Sequence, residues 1–186
     1  MGRGRIRIHI EGSLCILLAL VLLLLPLKWV VAMIVATAIH ELSHAIAIMF
    51  FGGHIYAIYF GGHGIRMETE PLLPGQELIA ALAGPVGSAS LILLSRYFPR
   101  LAVCGAVHCI YNLLPLFPLD GGRVLKNLLD ICGPNGQYHR IFRFSQQIFR
   151  GILMVFGVLA SMRFSPFAAV VTMVVLLRYR KVKNLV

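Results

Sequence analysis

The sequence predicts an all-α, polytopic membrane protein with about six transmembrane helices and a short membrane-associated β-hairpin-like loop after the second span. Of its 186 residues, 59% are hydrophobic and 13% are charged, whereas a soluble domain carries about 25% charged residues. The apolar residues are concentrated in runs that approach membrane length. No internal repeat or soluble appendage interrupts these runs, so a single domain over residues 1–186 is expected.

Six apolar runs account for the predicted spans. Pro26 and Lys28 end the first run, and the second begins at once. The basic start and 12-residue apolar core of the first run also fit a signal peptide, but no small-residue cleavage site follows, so a retained span is favoured. The predicted spans cover residues 14–27, 29–51, 77–95, 101–118, 148–162 and 165–178. After the fourth span, a polar, basic loop is predicted to extend to about Gln147.

The segment between the second and third spans is predicted to form a hairpin or sheet-like loop close to the membrane. Gly52-Gly53, Gly61-Gly62 and Pro71 favour turns, and the residues between them favour strands. At the start of the chain, residues 1–13 alternate arginine with isoleucine, which indicates a short extended or interfacial piece.

The distribution of basic residues indicates the topology. With six spans and both termini on one side, that side holds 13 of the 17 Lys and Arg residues. The positive-inside rule places this side in the cytosol. We therefore expect a multi-pass protein of the cell membrane with both termini cytosolic.

The net charge of +10 has two readings, a nucleic-acid partner or an anionic membrane surface. The basic residues have no aromatic platform or groove-reading helix beside them, so no nucleic-acid partner is expected. Their placement suits the lipid bilayer instead. The four cysteines lie in or beside apolar segments without a close pair, and are expected to be small core residues rather than ligands.

A group of ionisable residues lies inside the second span. The run 29–51 has 23 residues, about 34 Å as a helix, and His40 lies near its midpoint. An ionisable group costs roughly 2.5–3.5 kcal/mol at this depth. His40 and His44 are four residues apart, so both imidazoles lie on one helix face and can bind a single ion, with Glu41 nearby as a general base. The pattern predicts one zinc ion per chain.

A catalytic zinc needs a third protein ligand. A metzincin would have its third His six residues after His44, but that position is Phe50. Glu68 and Glu70 are candidates, although they lie in a loop beside Arg66. A carboxylate after the fourth span is the better candidate.

That carboxylate is Asp120. Pro115 and Pro118 break the fourth span, and Gly121-Gly122 let the backbone turn, so Asp120 is expected on unwound chain at membrane depth. Irregular backbone is tolerated there when it is buried in protein or lines a wet cavity. The alternative is an ordinary turn carboxylate that pairs with Arg123.

Two motifs together resemble those of the intramembrane site-2 protease family. They are His40-Glu41-Leu42-Ser43-His44 and Asn112-x-x-Pro115-x-x-Pro118-Leu119-Asp120-Gly121-Gly122-Arg123, in that order and in separate spans. The chain looks most like the sporulation-type branch, which processes a membrane-associated pro-sigma factor. The resemblance implies that His40, His44 and Asp120 bind zinc, that Glu41 is the base, and that Asn112 helps to hold substrate or an oxyanion.

The resemblance also implies regulated hydrolysis of a membrane-tethered protein substrate, such as a pro-sigma or anti-sigma factor. The sequence leaves open the substrate, the cleaved bond, the oligomeric state and the involvement of a membrane inhibitor protein. One departure from the family pattern concerns the third span. Many members have Asn three residues after Ala-Gly-Pro, whereas Ser88 stands at that position here, so an Asn role cannot be carried over.

The remaining histidines give weaker signals. His108 is one turn before Asn112 on the same helix face, where it lines the cleft or serves as a structural hydrogen-bond partner. His54 and His63 lie in the Gly-rich segment and are expected to be solvated or interfacial. His9 and His139 are assigned to the basic cytosolic surface.

Two other classes of protein were weighed against the protease. A divalent-metal transporter would use the same His and Asp residues as a permeation site, but it needs polar groups through the membrane on both sides of the ion, and spans five and six offer none. A catalytically silent scaffold would tolerate loss of Glu41 or Asp120, yet every required group is present. A membrane-embedded zinc metalloendopeptidase is the favoured interpretation.

Overall fold

The computed structural model describes residues 6–62, 64–117 and 119–133, with scattered positions from 140 to 155. It divides into two compact units, residues 1–113 and residues 114–186. The expectation of a single protease domain over residues 1–186 stays a prediction.

The first unit is built mainly from four helices, which match the first four predicted spans. Prolines mark the starts of three of them, because proline fixes φ and needs no donor partner in the first turn. Pro26 caps the second helix, while Pro74 and Pro99 open the third and fourth. The helices are α1 (Gly12–Leu24), α2 (Leu27–Phe50), α3 (Pro74–Ser90) and α4 (Pro99–Asn112), and a 3₁₀ turn (Leu91–Leu94) extends α3.

Two of these helical segments are long and apolar enough to cross a membrane, by length and composition. They are Leu27–Phe50, with 24 residues, and Pro74–Leu94, with 21. Helices α1 and α4 are shorter, at 13 and 14 residues. The predicted runs 148–162 and 165–178 fall almost wholly outside the described residues. The count of six spans therefore stays a prediction.

A three-stranded sheet accompanies the helices of the first unit. Its strands are β1 (Arg7–Ile10), β2 (Ile55–Gly61) and β3 (Gly64–Thr69), in the order β1-β2-β3. Strands β2 and β3 pair antiparallel, which confirms the predicted hairpin, and β1 joins β2 in parallel. The extended conformation expected near the start of the chain is thus confirmed, although the sequence did not predict its pairing with the hairpin.

The strand register separates a polar face of the sheet from an apolar face. His9, Tyr59 and Arg66 are aligned across the three strands, with the His9 ring stacked on Tyr59 at 4.7 Å and the Arg66 guanidinium 4.6 Å from the Tyr59 ring centre. The adjacent row consists of Ile8, Ile58 and Met67. This two-faced pattern fits the predicted location of the loop near a membrane.

Helix α3 packs closely against α2 and α4 because its contact face consists of small residues. Its buried positions are Ala80, Ala81, Gly84, Pro85 and Ser88. A Cβ at Gly87 would overlap the Ser43 hydroxyl of α2, and a Cβ at Gly105 of α4 would lie 2.6 Å from the Ser88 carbonyl oxygen. These glycines allow a helix spacing that larger residues would prevent.

The second unit contains α5 (Asp120–Cys132), which corrects the prediction of a polar, basic loop in this segment. Val124, Leu125, Leu128 and Leu129 recur with helical spacing, and this periodicity outweighs the low helix propensity of the two glycines that precede them.

The chain enters α5 through a compact turn. The predicted break after the fourth span is confirmed, because α4 ends at Asn112 and non-helical residues lead to α5. The Leu119 amide donates to the Leu116 carbonyl at 2.7 Å. A Cβ at Gly122 would lie 2.5 Å from the Leu116 carbonyl carbon and from the Phe117 nitrogen, so the first turn of α5 packs directly on this backbone.

Candidate metal and catalytic site

His40 and His44 form a buried pair on one face of α2. His40 is 2% exposed and His44 is 4% exposed. Their Nε2 atoms lie 3.1 Å apart. Two nitrogen ligands of a tetrahedral zinc, each about 2.0–2.1 Å from the metal, are separated by roughly 3.3 Å. The i, i+4 spacing has therefore brought the two nitrogens to a separation that one metal ion can bridge.

Helix α3 holds the other nitrogen of each ring. His44 Nδ1 donates to the Ala80 carbonyl at 2.7 Å, and His40 Nδ1 lies 2.9 Å from the Ser88 hydroxyl. Such outer contacts orient metal-ligating imidazoles and select their tautomers. With both Nδ1 atoms engaged by α3, the two Nε2 atoms face each other.

Gly84 lies between these two contacts, one turn after Ala80 and one turn before Ser88. A Cβ at Gly84 would overlap the His44 ring at Nε2 and lie 2.5 Å from Cε1. The absence of a side chain at this position therefore leaves room for the imidazole.

His108 of α4 contacts the pair from another helix. Its ring meets the His40 ring edge to face, with centroids 4.5 Å apart and planes at 78°. Asn112, one turn later, donates from Nδ2 to the His108 carbonyl at 3.0 Å. The two roles predicted for His108, lining the cleft or serving as a structural hydrogen-bond partner, stay predictions, as does the role of Asn112 toward substrate.

Glu41 lies on α2 next to His40 and is half-buried. Two residues later, the Ser43 hydroxyl donates a hydrogen bond to the Ile39 carbonyl of the same helix, at 2.8 Å. The assignment of Glu41 as general base stays a prediction.

Asp120, in the second unit, is 7% exposed and is the first residue of α5. The expectation that it lies on unwound chain is corrected, because the irregular segment ends one residue earlier. A carboxylate is favoured at a helix N-terminus, where the unpaired amides carry partial positive charge. Arg123 Nη1 lies 3.6 Å from Asp120 Oδ1, so the predicted alternative of an ion pair with Arg123 is present.

The other candidate residues of the sequence lie elsewhere or outside the described part of the chain. Glu68 and Glu70 are both exposed, and Glu68 accepts a hydrogen bond from the Tyr59 hydroxyl at 3.1 Å. His54 is exposed, as expected for a solvated residue. His63 and His139 lie outside the described residues.

Sequence reasoning missed the contribution of α3. Ser88 was noted as a departure from a family pattern and not as a partner of His40. One signal could have indicated it, because Ala80, Gly84 and Ser88 recur every four residues and so share one face of a helix. A lone hydroxyl on a face of small residues is a candidate partner for a buried polar group of a neighbouring helix.

Comparisons with known proteins agree with this geometry. The model of Peptidase family M50 matches residues 71–156. Stage IV sporulation protein FB of Bacillus subtilis is 28% identical over 152 residues, which cover 73% of this chain and 52% of that protein. These matches support the site-2 protease family for this chain. They also support the sporulation-type branch, as the two motifs predicted.

Two matches from one archaeon extend the comparison. A zinc metalloprotease of Methanocaldococcus jannaschii is 27% identical over 114 residues, which cover 54% of this chain and 34% of that protein. The solved structure of the Site-2 Protease from Methanocaldococcus jannaschii superposes with a TM-score of 0.68 at 22% identity, and covers 93% of this chain and 88% of that one. This structural likeness shows the shared fold. The chain spans about half the length of the Bacillus relative and about a third of the archaeal metalloprotease.

Proposed function

We propose that the protein is an intramembrane zinc metalloprotease that hydrolyses a peptide bond in a membrane-associated or membrane-spanning protein. The observation that carries this proposal is the buried His40–His44 pair, with Nε2 atoms 3.1 Å apart and both Nδ1 atoms held by α3. The match to the model of Peptidase family M50 supports hydrolysis as the reaction. Among the described residues, no observation favours the transporter alternative.

Zinc is the metal that this ligand set suits best. Two imidazoles and one carboxylate form the usual set of a catalytic zinc site, which keeps its fourth position open. We assign His40, His44 and Asp120 as these ligands, one ion per chain. The burial of all three residues and the name of the archaeal relative, a zinc metalloprotease, support the assignment.

The chemistry follows from the groups on α2 and α4. When bound, zinc supplies Lewis acidity, which lowers the pKa of water toward neutrality and polarises a carbonyl. Glu41 takes the proton from the attacking water and returns it to the leaving amine. Asn112 lies one turn after His108, whose ring contacts His40. Its amide helps to hold the substrate or the developing oxyanion.

The substrate must be extended before it can be cleaved, because the amides of a helix are shielded by their own hydrogen bonds. Strand β3 is at the edge of the sheet, so its outer backbone groups can pair with an added strand. We assign the hairpin that β2 and β3 form as the element that holds the unwound substrate segment.

A membrane-tethered pro-sigma or anti-sigma factor is the proposed substrate class. The likeness to a sporulation protein supports it. The proposed setting is the cell membrane, with six spans, both termini in the cytosol, and one protease domain over residues 1–186.

The experiment that tests this function combines metal analysis with a cleavage assay. The full chain is purified in detergent, its zinc content is measured, and cleavage of co-expressed membrane-tethered pro-sigma and anti-sigma candidates is followed on gels. We expect about one zinc per chain, and cleavage that stops on chelation and returns with zinc. Zinc flux into vesicles without any proteolysis would overturn the protease in favour of the transporter.

Asp120→Asn tests the third ligand. The variant keeps the shape of the side chain but removes the charge, so zinc affinity should fall by more than the roughly 10–100-fold that loss of an outer contact costs. Competition with a chromophoric chelator measures the affinity. Asp130→Asn on the same helix is the matched control and should bind zinc as the unmodified chain does. Equal zinc affinity in the two variants would show that Asp120 is not a ligand and that its role is limited to the ion pair with Arg123.

A further inference from the structure

Ser88 is a polar residue with no exposed surface on the face of α3 that packs against α2. A buried hydroxyl is costly unless it is hydrogen-bonded. Its partner is His40 Nδ1, at 2.9 Å. A hydroxyl can donate or accept a hydrogen bond, whereas a carbonyl can only accept. The two contacts that α3 makes with the histidine pair differ in this respect: His40 faces the Ser88 hydroxyl and His44 faces the Ala80 carbonyl.

The Ala80 carbonyl fixes the tautomer of His44. Because a carbonyl only accepts, the proton must be on His44 Nδ1, which donates to it at 2.7 Å. In the neutral ring, Nε2 then carries a lone pair. This is the form that ligates a metal, so His44 is held in its ligating tautomer whether or not metal is bound.

The Ser88 hydroxyl does not impose a tautomer on His40. It can donate to a lone pair on Nδ1 or accept a proton from it, at the observed 2.9 Å. A ligating His40 carries its proton on Nδ1, with the Ser88 oxygen accepting it.

We propose that Ser88 is a positioning residue for His40. The hydroxyl keeps Nδ1 hydrogen-bonded in both tautomers and holds the ring at the same angle throughout. Neither arrangement leaves a buried ring nitrogen unpaired on this side. The proposal rests on metal binding by His40 and His44, which belongs to the proposed function.

Ser88→Ala tests the positioning role in the full chain. Loss of an outer contact to a ligating imidazole should lower zinc affinity about 10–100-fold. Ser90→Ala is the matched control, because Ser90 lies two residues away, is exposed, and donates to the Gly87 carbonyl of its own helix. Its zinc affinity should equal that of the unmodified chain. Far-ultraviolet circular dichroism and thermal unfolding of the metal-free forms show whether each variant is folded.

The visible absorption of bound cobalt(II) distinguishes a positioning role from a merely structural one. At saturating cobalt, a reoriented His40 changes the ligand field, so the visible absorption bands of Ser88→Ala should differ from those of the unmodified chain and of Ser90→Ala. A folded Ser88→Ala variant with unchanged zinc affinity and an unchanged cobalt spectrum would overturn the proposal. If the unmodified chain bound neither metal, the proposed function itself would be wrong.

Discussion

Glu41→Gln is expected to abolish peptide hydrolysis while bound zinc stays at the level of the unmodified chain. The amide has the same shape as the carboxylate but cannot take a proton from water at neutral pH. Loss of a general base typically lowers the rate about 10²- to 10⁴-fold. His40 and His44 keep their contacts with α3 in the variant, so their capacity to bind metal should persist.

The measurement is a paired one, of zinc per chain and of the cleavage rate, in the same preparation. Glu77→Gln is a suitable control, because Glu77 is a half-buried glutamate in the first turn of α3, a neighbouring helix. It should cleave at the rate of the unmodified chain. Full activity in Glu41→Gln would remove Glu41 from the mechanism. Loss of zinc in that variant would indicate that Glu41 is a metal ligand and not a general base.

Gly84→Ala is expected to cause the second large effect, a loss of both zinc binding and cleavage. The added methyl would overlap the His44 imidazole at Nε2, the atom assigned to the metal. The ring must move or the helices must separate, and overpacking of this kind typically costs about 1–3 kcal/mol. Either response also disturbs the His44 contact with the Ala80 carbonyl.

Gly75→Ala isolates this steric effect from the general consequences of replacing glycine in α3. Gly75 lies in the first turn of the same helix, and a Cβ there meets nothing within 4 Å. This control should retain zinc and activity, and the alanine should slightly stabilise the helix. Zinc affinity is measured by chelator competition and folding by thermal unfolding. Gly84→Ala that binds zinc as tightly as Gly75→Ala would contradict the close approach of α3 to His44.

Local pattern accounts for the features that the sequence predicted correctly. The i, i+4 spacing of His40 and His44 places both rings on one face of any helix, whatever surrounds it. Apolar runs and prolines indicated the first four helices, and glycines around β-favouring residues indicated the hairpin. Each of these predictions depends on residues close together in the chain.

Helix α5 was missed because two local signals conflicted. Gly121 and Gly122 lower helix propensity, and the charges that follow suggested a loop. The periodic leucines favour a helix, and the close packing of Gly122 on the preceding turn uses the missing side chain to begin it. Propensity is a weak indicator where packing of this kind is available.

The sequence by itself determined which residues can ligate a metal and which helix presents the two imidazoles. The tertiary structure decided how those imidazoles are held: the partners of His40 and His44 are 48 and 36 residues away in the chain, on α3. It also decided that β1 pairs with the distant hairpin. Contacts between helices depend on side-chain size along two surfaces at once, and the spacing of residues within one segment carries no information about the surface it will meet.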